Sequence, residues 1–423
     1  MIDVIIATFL IKANAMTHPK ILLAITGGIS AYKSAVLARL LIKAGCTVRV
    51  MMTDGACEFI TPLSLQALTG NEVHTKLLDD EAERGMGHIE LAKWADMVVI
   101  APASANTIGK LAHGLADNLV TTVALATTAP IVIVPAMNQA MYAHAIVQDN
   151  LAKLTRFGYT VLTPDSGEQA CGDVGAGRLP EPDDLCERIL TLLAKRQTPQ
   201  SLHSKKVIIT AGATIEAIDP VRFLSNHSTG KMGFAIARAC VNAGADVTLV
   251  AGRAVHLPTP FGVKRLTVGT ADEMLTACQS VMTDNSDTIF IATAAVADYK
   301  VKSIATQKIK KTSDQDGLTL ELIKNPDILA TMSQTFPKAV MVGFAAETQD
   351  TENYARTKLT AKNLDMIAVN DVSDKSIGFG SDNNAMTVFF AERYGKDKLV
   401  LDKDSKDNIA AYIVDAIGSV IGR

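Results

Sequence analysis

The stretch KILLAITGGISAYKSAVLARLLIKAG, residues 20–45, reads as one strand–turn–helix unit. Lys20–Ile25 is an apolar run of strand length, as expected of a strand covered on both faces. Thr26-Gly27-Gly28-Ile29-Ser30 then makes a tight turn. Glycines there let backbone N–H groups approach a phosphate at a helix start. Residues 29–44 follow as a helix closed by Gly45, and Thr47–Met52 is the next strand. Strand, helix and strand in that order make the repeating unit of a parallel sheet with helices on its faces.

The same pattern continues along the chain. Residues 97–101, 131–135 and 160–162 read as strands and 184–194 as a closing helix. Residues 195–205, KRQTPQSLHSK, are polar, carry a proline and show no apolar period, so they read as a linker. The pattern then restarts, with a strand at 206–210, a helix at 230–243 ended by Gly244, and a strand at 246–251. Strands at 288–292, 339–344 and 366–370, a hairpin of 385–390 with 398–401, and a last helix at 408–420 complete it. The expectation is an α/β protein of two doubly wound, Rossmann-like domains, 19–194 and 206–423. Residues 1–18 are expected to be an N-terminal extension. Its apolar run ends in Ala13-Asn14-Ala15, like a signal-peptidase site, but no basic residue precedes it and it is too short to span a bilayer. Met1 and Met16 both stay open as the start.

Composition narrows the function classes. A chain of 423 residues can bury more than one core. Hydrophobic content of 48% and charged content of 20% describe a globular protein. A net charge of −3 gives no general attraction to nucleic acid or to a membrane surface. The six cysteines are scattered, with no CxxC pair. That argues against a structural zinc site or a disulfide framework and points to a reducing, cytoplasmic compartment.

Three segments of the first half carry chemically capable side chains: Gly87-His88-Ile89, Pro135-Ala136-Met137-Asn138 and Ala170-Cys171-Gly172-Asp173. The turn at 26–30 is neither a GxGxxG fingerprint nor a P-loop, because Tyr32 stands where the P-loop's second glycine is required. Ser104, Asn106 and Thr107, in the segment PASANT, can cap a helix or meet a phosphate or a flavin edge. The glycines around Cys171 suggest a mobile lid carrying a proton donor.

On these motifs the first half resembles the homo-oligomeric flavin-containing cysteine decarboxylases, and the lid ACGDxGxGR at 170–178 points to the phosphopantothenoylcysteine decarboxylases. The resemblance implies a flavodoxin-like domain holding FMN, with Gly27, Gly28, Ile29, Thr53, Ser104, Asn106 and Thr107 about the cofactor. It implies that His88 and Asn138 act on the substrate cysteine and that Cys171 is the late proton donor. It also implies flavin sites between subunits of a homo-oligomer. The residue types suit the reaction. Histidine is a base near neutral pH, an amide can hold a carboxylate, and a flavin can carry the electrons that simple loss of CO2 would strand.

In the second half, 210–214 (TAGAT) follows a strand, and 225–233 (SNHSTGKMG) precedes a helix. Gly230-Lys231 is not a P-loop, since Met232 replaces the required Ser or Thr. Asp298 follows a strand end, and the basic run Lys308-Ile309-Lys310-Lys311 follows it. An aspartate suits ribose hydroxyls and lysines suit a triphosphate. These segments resemble the phosphopantothenate–cysteine ligase domain of the bacterial bifunctional enzymes, and the likeness of the whole chain runs over about 20–374. That resemblance implies CTP, with Ala292, Thr293 and Ala294 at the cytosine edge and Asp298 on the ribose. Lys308 would meet the phosphates, and Pro326, Asp327, Ile328, Leu329, Phe344, Lys358 and Lys362 would complete the pocket. Asn226 would serve an acyl-cytidylate. Mg2+ is expected with the triphosphate, its protein ligands unassigned. The substrates implied are 4'-phosphopantothenate and L-cysteine, whose ligation product, 4'-phosphopantothenoylcysteine, is the substrate of the first domain.

Two rival readings remain at this level. One is a binding protein, a flavodomain relative acting as a regulatory subunit, against which stands the joint presence of His88, Asn138 and Cys171. The other is a nicotinamide oxidoreductase, against which stands the missing GxGxxG.

Overall fold

The computed structural model describes residues 18–77, 87–310, 317–347, 351–371 and 380–421. The extension up to residue 17, Lys311, Thr348 and the stretch 372–374 lie outside the described residues. The chain forms two compact units, divided between Leu193 and Ala194.

In the first unit the strands are β1 (Lys20–Ile25), β2 (Thr47–Met52), β3 (Val73–His74), β4 (Met97–Ala103), β5 (Ile131–Pro135) and β6 (Thr160–Val161). They form one parallel sheet in the order β3-β2-β1-β4-β5-β6. This is the doubly wound, Rossmann-like order expected, and it places the switch point between β1 and β4. All of β4 and β5 is buried, as the apolar runs required. The helix Ala31–Lys43 turns Ala31, Ser34, Leu37, Ala38 and Leu41 inward, one face at helical spacing. Gly45, at φ 89°, ends it in the left-handed region that favours glycine. A second sheet, β7 (Asp165–Glu168) with β8 (Val174–Arg178), is an antiparallel hairpin.

The second unit holds β9 (Lys206–Ala211), β10 (Ile215–Ala217), β11 (Phe223–Ser225), β12 (Asp246–Gly252), β13 (Val263–Val268) and β14 (Thr288–Ala292). It continues with β15 (Tyr299–Val301), β16 (Leu322–Lys324), β17 (Val340–Glu347), β18 (Met366–Asp371), β19 (Asn383–Phe390) and β20 (Lys398–Ser405). The main sheet runs β13-β12-β9-β14-β17-β18-β19-β20. Its first six strands are parallel, and the last two add an antiparallel hairpin at the edge. Helices Lys231–Asn242 and Lys406–Ile421 cover one face around Ile209, Leu249, Ile291 and Ile413. Helices Ala271–Val281 and Ile328–Thr335 lie among the cluster of Ile208, Met274, Phe290 and Met332 on the other.

Residues 195–205 are more ordered than a polar linker. The helix Pro182–Gln197 runs through their first three positions, where Lys195, Arg196 and Gln197 are good helix formers. Leu202 is fully buried among Val207, Cys240 and Val247, because a leucine in a polar stretch still gains by leaving water. Among the described residues no helix is long and apolar enough to cross a membrane.

Candidate functional sites

A cleft of about 520 Å³ opens in the first unit at the carboxyl ends of β1, β4 and β5. This is the switch-point location where doubly wound sheets bind ligands, and the volume suits a cofactor. Gly27, Gly28, Ile29, Ser104, Met137, Asn138 and Cys171 all line it. Two connections are stitched together beneath it. Thr26 Oγ1 donates to the Pro102 carbonyl at 2.8 Å and accepts from the Ser104 N–H at 2.9 Å, while Ser34 Oγ donates to the Ala101 carbonyl at 2.7 Å. A Cβ on Gly27 would stand 2.9 Å from the carbonyl oxygen of Gly55, so no larger residue fits that turn.

Asn138 caps the short helix Gln139–Ala143, its Oδ1 accepting from the Ala140 N–H at 2.8 Å. The carbonyl is thereby fixed and the NH2 faces the hairpin. There Asn138 Nδ2 lies 3.4 Å from Cys171 Sγ and donates to Asp173 Oδ2 at 2.7 Å. The β7–β8 hairpin reaches Asn138 by close backbone contact. Met137 N–H donates to the Gly177 carbonyl at 3.0 Å, and a Cβ on Gly177 (φ 130°) would lie 2.4 Å from the Met137 oxygen. Gln169 adds two side-chain bonds to the same loop, to Gln139 N–H at 2.9 Å and to the Met137 carbonyl at 3.1 Å.

The cleft is cationic at one end. Lys33 and Arg178 line it, and both meet Glu181, at 2.7 and 3.4 Å. Lys33 is only 13% exposed, and its hydrogen bond holds the Glu181 carboxyl below its usual range against some opposing desolvation. With the start of the helix Ala31–Lys43 nearby, this end favours an anionic group. In the sequence Lys33 belongs only to the near-miss P-loop around Tyr32 and Arg178 only to the lid motif, so neither is marked for a role. The Lys33–Glu181 contact joins positions 148 residues apart and leaves no local signal.

Other expected residues stand elsewhere. Thr53 precedes the helix Asp54–Cys57, Asn106 is exposed, and Thr107 is buried beside Ser104 Oγ at 3.2 Å; none of the three lines the cleft. His88 is half-buried in the first turn of the helix Gly87–Trp94 and does not line the cleft of its own unit.

In the second unit a cleft of about 590 Å³ lies at the carboxyl ends of β9, β14 and β17. It is lined by Ala292, Ala294, Asp298, Pro326, Asp327, Ile328, Leu329, Phe344, Lys358 and Lys362, together with Lys324. Thr293 faces instead an adjoining cavity of about 170 Å³, which shares Ala294, Ala295 and Phe344 with the cleft and is also lined by Ser228, Lys231 and Lys406. Asp327 caps the helix Ile328–Thr335 and pairs with Lys362 at 2.6 Å. Burial pushes its carboxyl up, but Lys362 and the Ala330 N–H outweigh this and hold it below the usual value. Asn226 Nδ2 donates to the carbonyls of Ala295 and Val296, at 3.1 and 3.2 Å, on the cleft wall.

Lys308 is exposed and does not line this cleft. Its loop is nevertheless held tightly. Ile309 N–H donates to the buried Asp219 carboxylate at 3.1 Å, and Arg222 donates to the Ile309 carbonyl at 2.8 Å while pairing with Asp219. Arg222 first, and then the N–H groups of Val221, Ile309 and Arg222, hold the Asp219 carboxyl well below the carboxylate range. A depressed carboxyl contributes its stabilisation above the ordinary value near pH 4 and loses it as pH falls through the lowered value. The tether is therefore expected to hold throughout neutral and mildly acidic pH. Asp219→Ala should release it at neutral pH. Amide exchange over 302–310 should rise by about tenfold or more, as expected when the hydrogen bonds that hold a loop are lost. Unchanged exchange over that loop would refute the tether.

Residues 202–420 match the family described as DNA/pantothenate metabolism flavoprotein C-terminal domain, and residues 11–194 match the Flavoprotein family. The chain is 53% identical over 405 residues to Coenzyme A biosynthesis bifunctional protein CoaBC of Vibrio cholerae, spanning 96% of this chain and 99% of that one. It is 48% identical over 405 residues to the protein of the same description from Escherichia coli K12, with 95% and 97% covered. The corresponding Bacillus subtilis protein is 46% identical over 389 residues, with 92% and 94% covered.

Proposed function

Because the chain belongs to the family of bifunctional coenzyme A biosynthesis proteins, we propose the following division of labour between its units. The second unit joins 4'-phosphopantothenate to L-cysteine at the expense of CTP, and the first decarboxylates the resulting 4'-phosphopantothenoylcysteine to 4'-phosphopantetheine with FMN. The setting is cytoplasmic and the assembly a homo-oligomer. One observation carries the reading: the Asn138 amide and the Cys171 thiol, far apart in sequence, meet at 3.4 Å in a cofactor-sized cleft.

The first cleft fits a flavin nucleotide by its volume, its Gly27-Gly28 turn and its cationic end at Lys33 and Arg178. When bound, FMN would supply the reversible two-electron oxidation of the substrate thiol that makes loss of CO2 possible. Asn138 would hold the substrate carboxylate through its NH2, and Cys171 would return a proton to the carbon that lost CO2. In the homo-oligomer the partner subunit's His88 would complete the site as base, consistent with its absence from the cleft of its own unit.

In the second unit, Asp298 would hold the ribose, Phe344 would contact the base, and Lys324, Lys358 and Lys362 would surround the phosphates. The adjoining cavity would receive 4'-phosphopantothenate, whose carboxylate attacks the α-phosphorus of CTP. The bond to pyrophosphate breaks and an acyl-cytidylate forms. The cysteine amine then displaces CMP. Lysine charge, Lys308 included, would stabilise the departing pyrophosphate. Among the described residues no group of three His, Cys, Asp or Glu could hold a metal. Mg2+ would travel on the triphosphate with part of its water shell.

The purified protein should be yellow, with flavin absorption, and should release pyrophosphate from CTP only when 4'-phosphopantothenate is added. Colourless protein without CTP turnover would favour the binding-protein reading instead.

A further inference from the structure

We propose that Asp173 occupies, in the resting site, the place that the substrate carboxylate takes on Asn138, and that exchange of the two carboxylates sets when Cys171 approaches. This rests on the decarboxylase reading of the first unit. Asn138 has a single NH2 to offer, because its carbonyl is committed to the Ala140 N–H. That NH2 meets a carboxylate oxygen of Asp173 at 2.7 Å and Cys171 Sγ at 3.4 Å. Cys171 Sγ also lies 3.5 Å from the same Asp173 oxygen. A carboxylate on the Asn138 amide is the contact that the substrate itself must make. Two carboxylates cannot share that donor without strong repulsion, so substrate entry displaces Asp173.

The local structure permits such an exchange. Gly172 N–H donates to the Gln169 carbonyl and Gln169 N–H to the Asp173 carbonyl, both at 2.8 Å, so Cys171 and Asp173 ride on one closed turn. The Gln169 side chain anchors the base of that turn to the Asn138 loop, while the tip from Ala170 to Asp173 is exposed. Displacing Asp173 therefore moves Cys171 away from Asn138. Loss of CO2 removes the competing charge, Asp173 returns, and Cys171 arrives with it beside the newly formed carbanionic carbon. Protonation is thereby placed after decarboxylation. Asp173 is a positioning residue and adds no chemical step.

The test uses the full-length flavin-loaded enzyme and a matched pair of ligands that cannot be oxidised. These are 4'-phosphopantothenoylserine, which keeps the carboxylate, and its decarboxylated counterpart, which lacks it. Removing the competitor in Asp173→Ala should tighten binding of the carboxylate ligand by about fivefold, the effect of one exposed charge-assisted hydrogen bond. Binding of the counterpart should not tighten. Asp173→Asn, which keeps the shape but not the charge, should move in the same direction. With true substrate, Asp173→Ala should release CO2 and leak unreduced decarboxylated product. Equal shifts for both ligands, or weaker binding of the carboxylate ligand, would overturn the proposal. If the wild-type enzyme binds neither ligand, the decarboxylase reading itself has failed, which is a distinct result.

Discussion

Replacing Cys171 with serine is expected to separate two events that the native enzyme keeps together. CO2 release should continue, while formation of the reduced thiol product should fall about 100-fold or more, the usual contribution of a positioned general acid. The reasoning is local. Cys171 is exposed on the hairpin tip, so a serine of nearly the same shape leaves the fold intact. What changes is acidity, because a hydroxyl gives up its proton far less readily than a thiol. Asn138, the cleft and the cationic end with Lys33 and Arg178 are untouched, so binding and loss of CO2 persist. Trapped CO2 and chromatographed product, followed in one reaction, decide the matter. Equal rates of both in the variant would remove the thiol from the mechanism.

The second large effect is expected at Lys308. Lys308→Gln should lower pyrophosphate release about 100-fold, the typical loss when one charge-stabilising group is removed from a transition state. Decarboxylation of supplied 4'-phosphopantothenoylcysteine should stay within about twofold of the native rate, as for surface changes remote from a site. The contrast matters because Lys308 does not line the second cleft, although its loop is pinned by Asp219 and Arg222 on both sides of the Ile309 peptide. Such pinning of an otherwise exposed loop is reasonable if the lysine must reach phosphates that extend out of the cleft. Parallel loss of both activities would contradict the division into two sites, and no loss at all would take Lys308 out of the ligase.

Much of the fold was legible because apolar runs speak locally. The strands at 20–25, 47–52, 131–135 and 288–292 appear with the bounds read from the sequence. The sequence marks the β7–β8 hairpin only as a glycine-rich lid, since DSGE and VGAGR offer no apolar alternation to mark strands. β13 escaped because lysine and arginine interrupt its apolar residues and it lies at the sheet edge. Cleft residues in loops that follow strands, such as Asn138 and Asp298, were accessible from the strand–loop pattern together with the family likeness. Long-range partners were not. Glu181 beneath Lys33, Asp219 beneath Lys308 and Asp173 on Asn138 each become meaningful only when the chain folds back on itself.

The proposed division of labour has one chain make the cysteine conjugate in one unit and remove its carboxylate in the other. Its most direct test supplies the purified protein with CTP, Mg2+, 4'-phosphopantothenate and cysteine labelled in the carboxyl carbon. Pyrophosphate, CMP and labelled CO2 are expected in equal amounts, with no CO2 until CTP is present. Labelled CO2 appearing without CTP, or CTP consumed with no CO2 at any time, would contradict it.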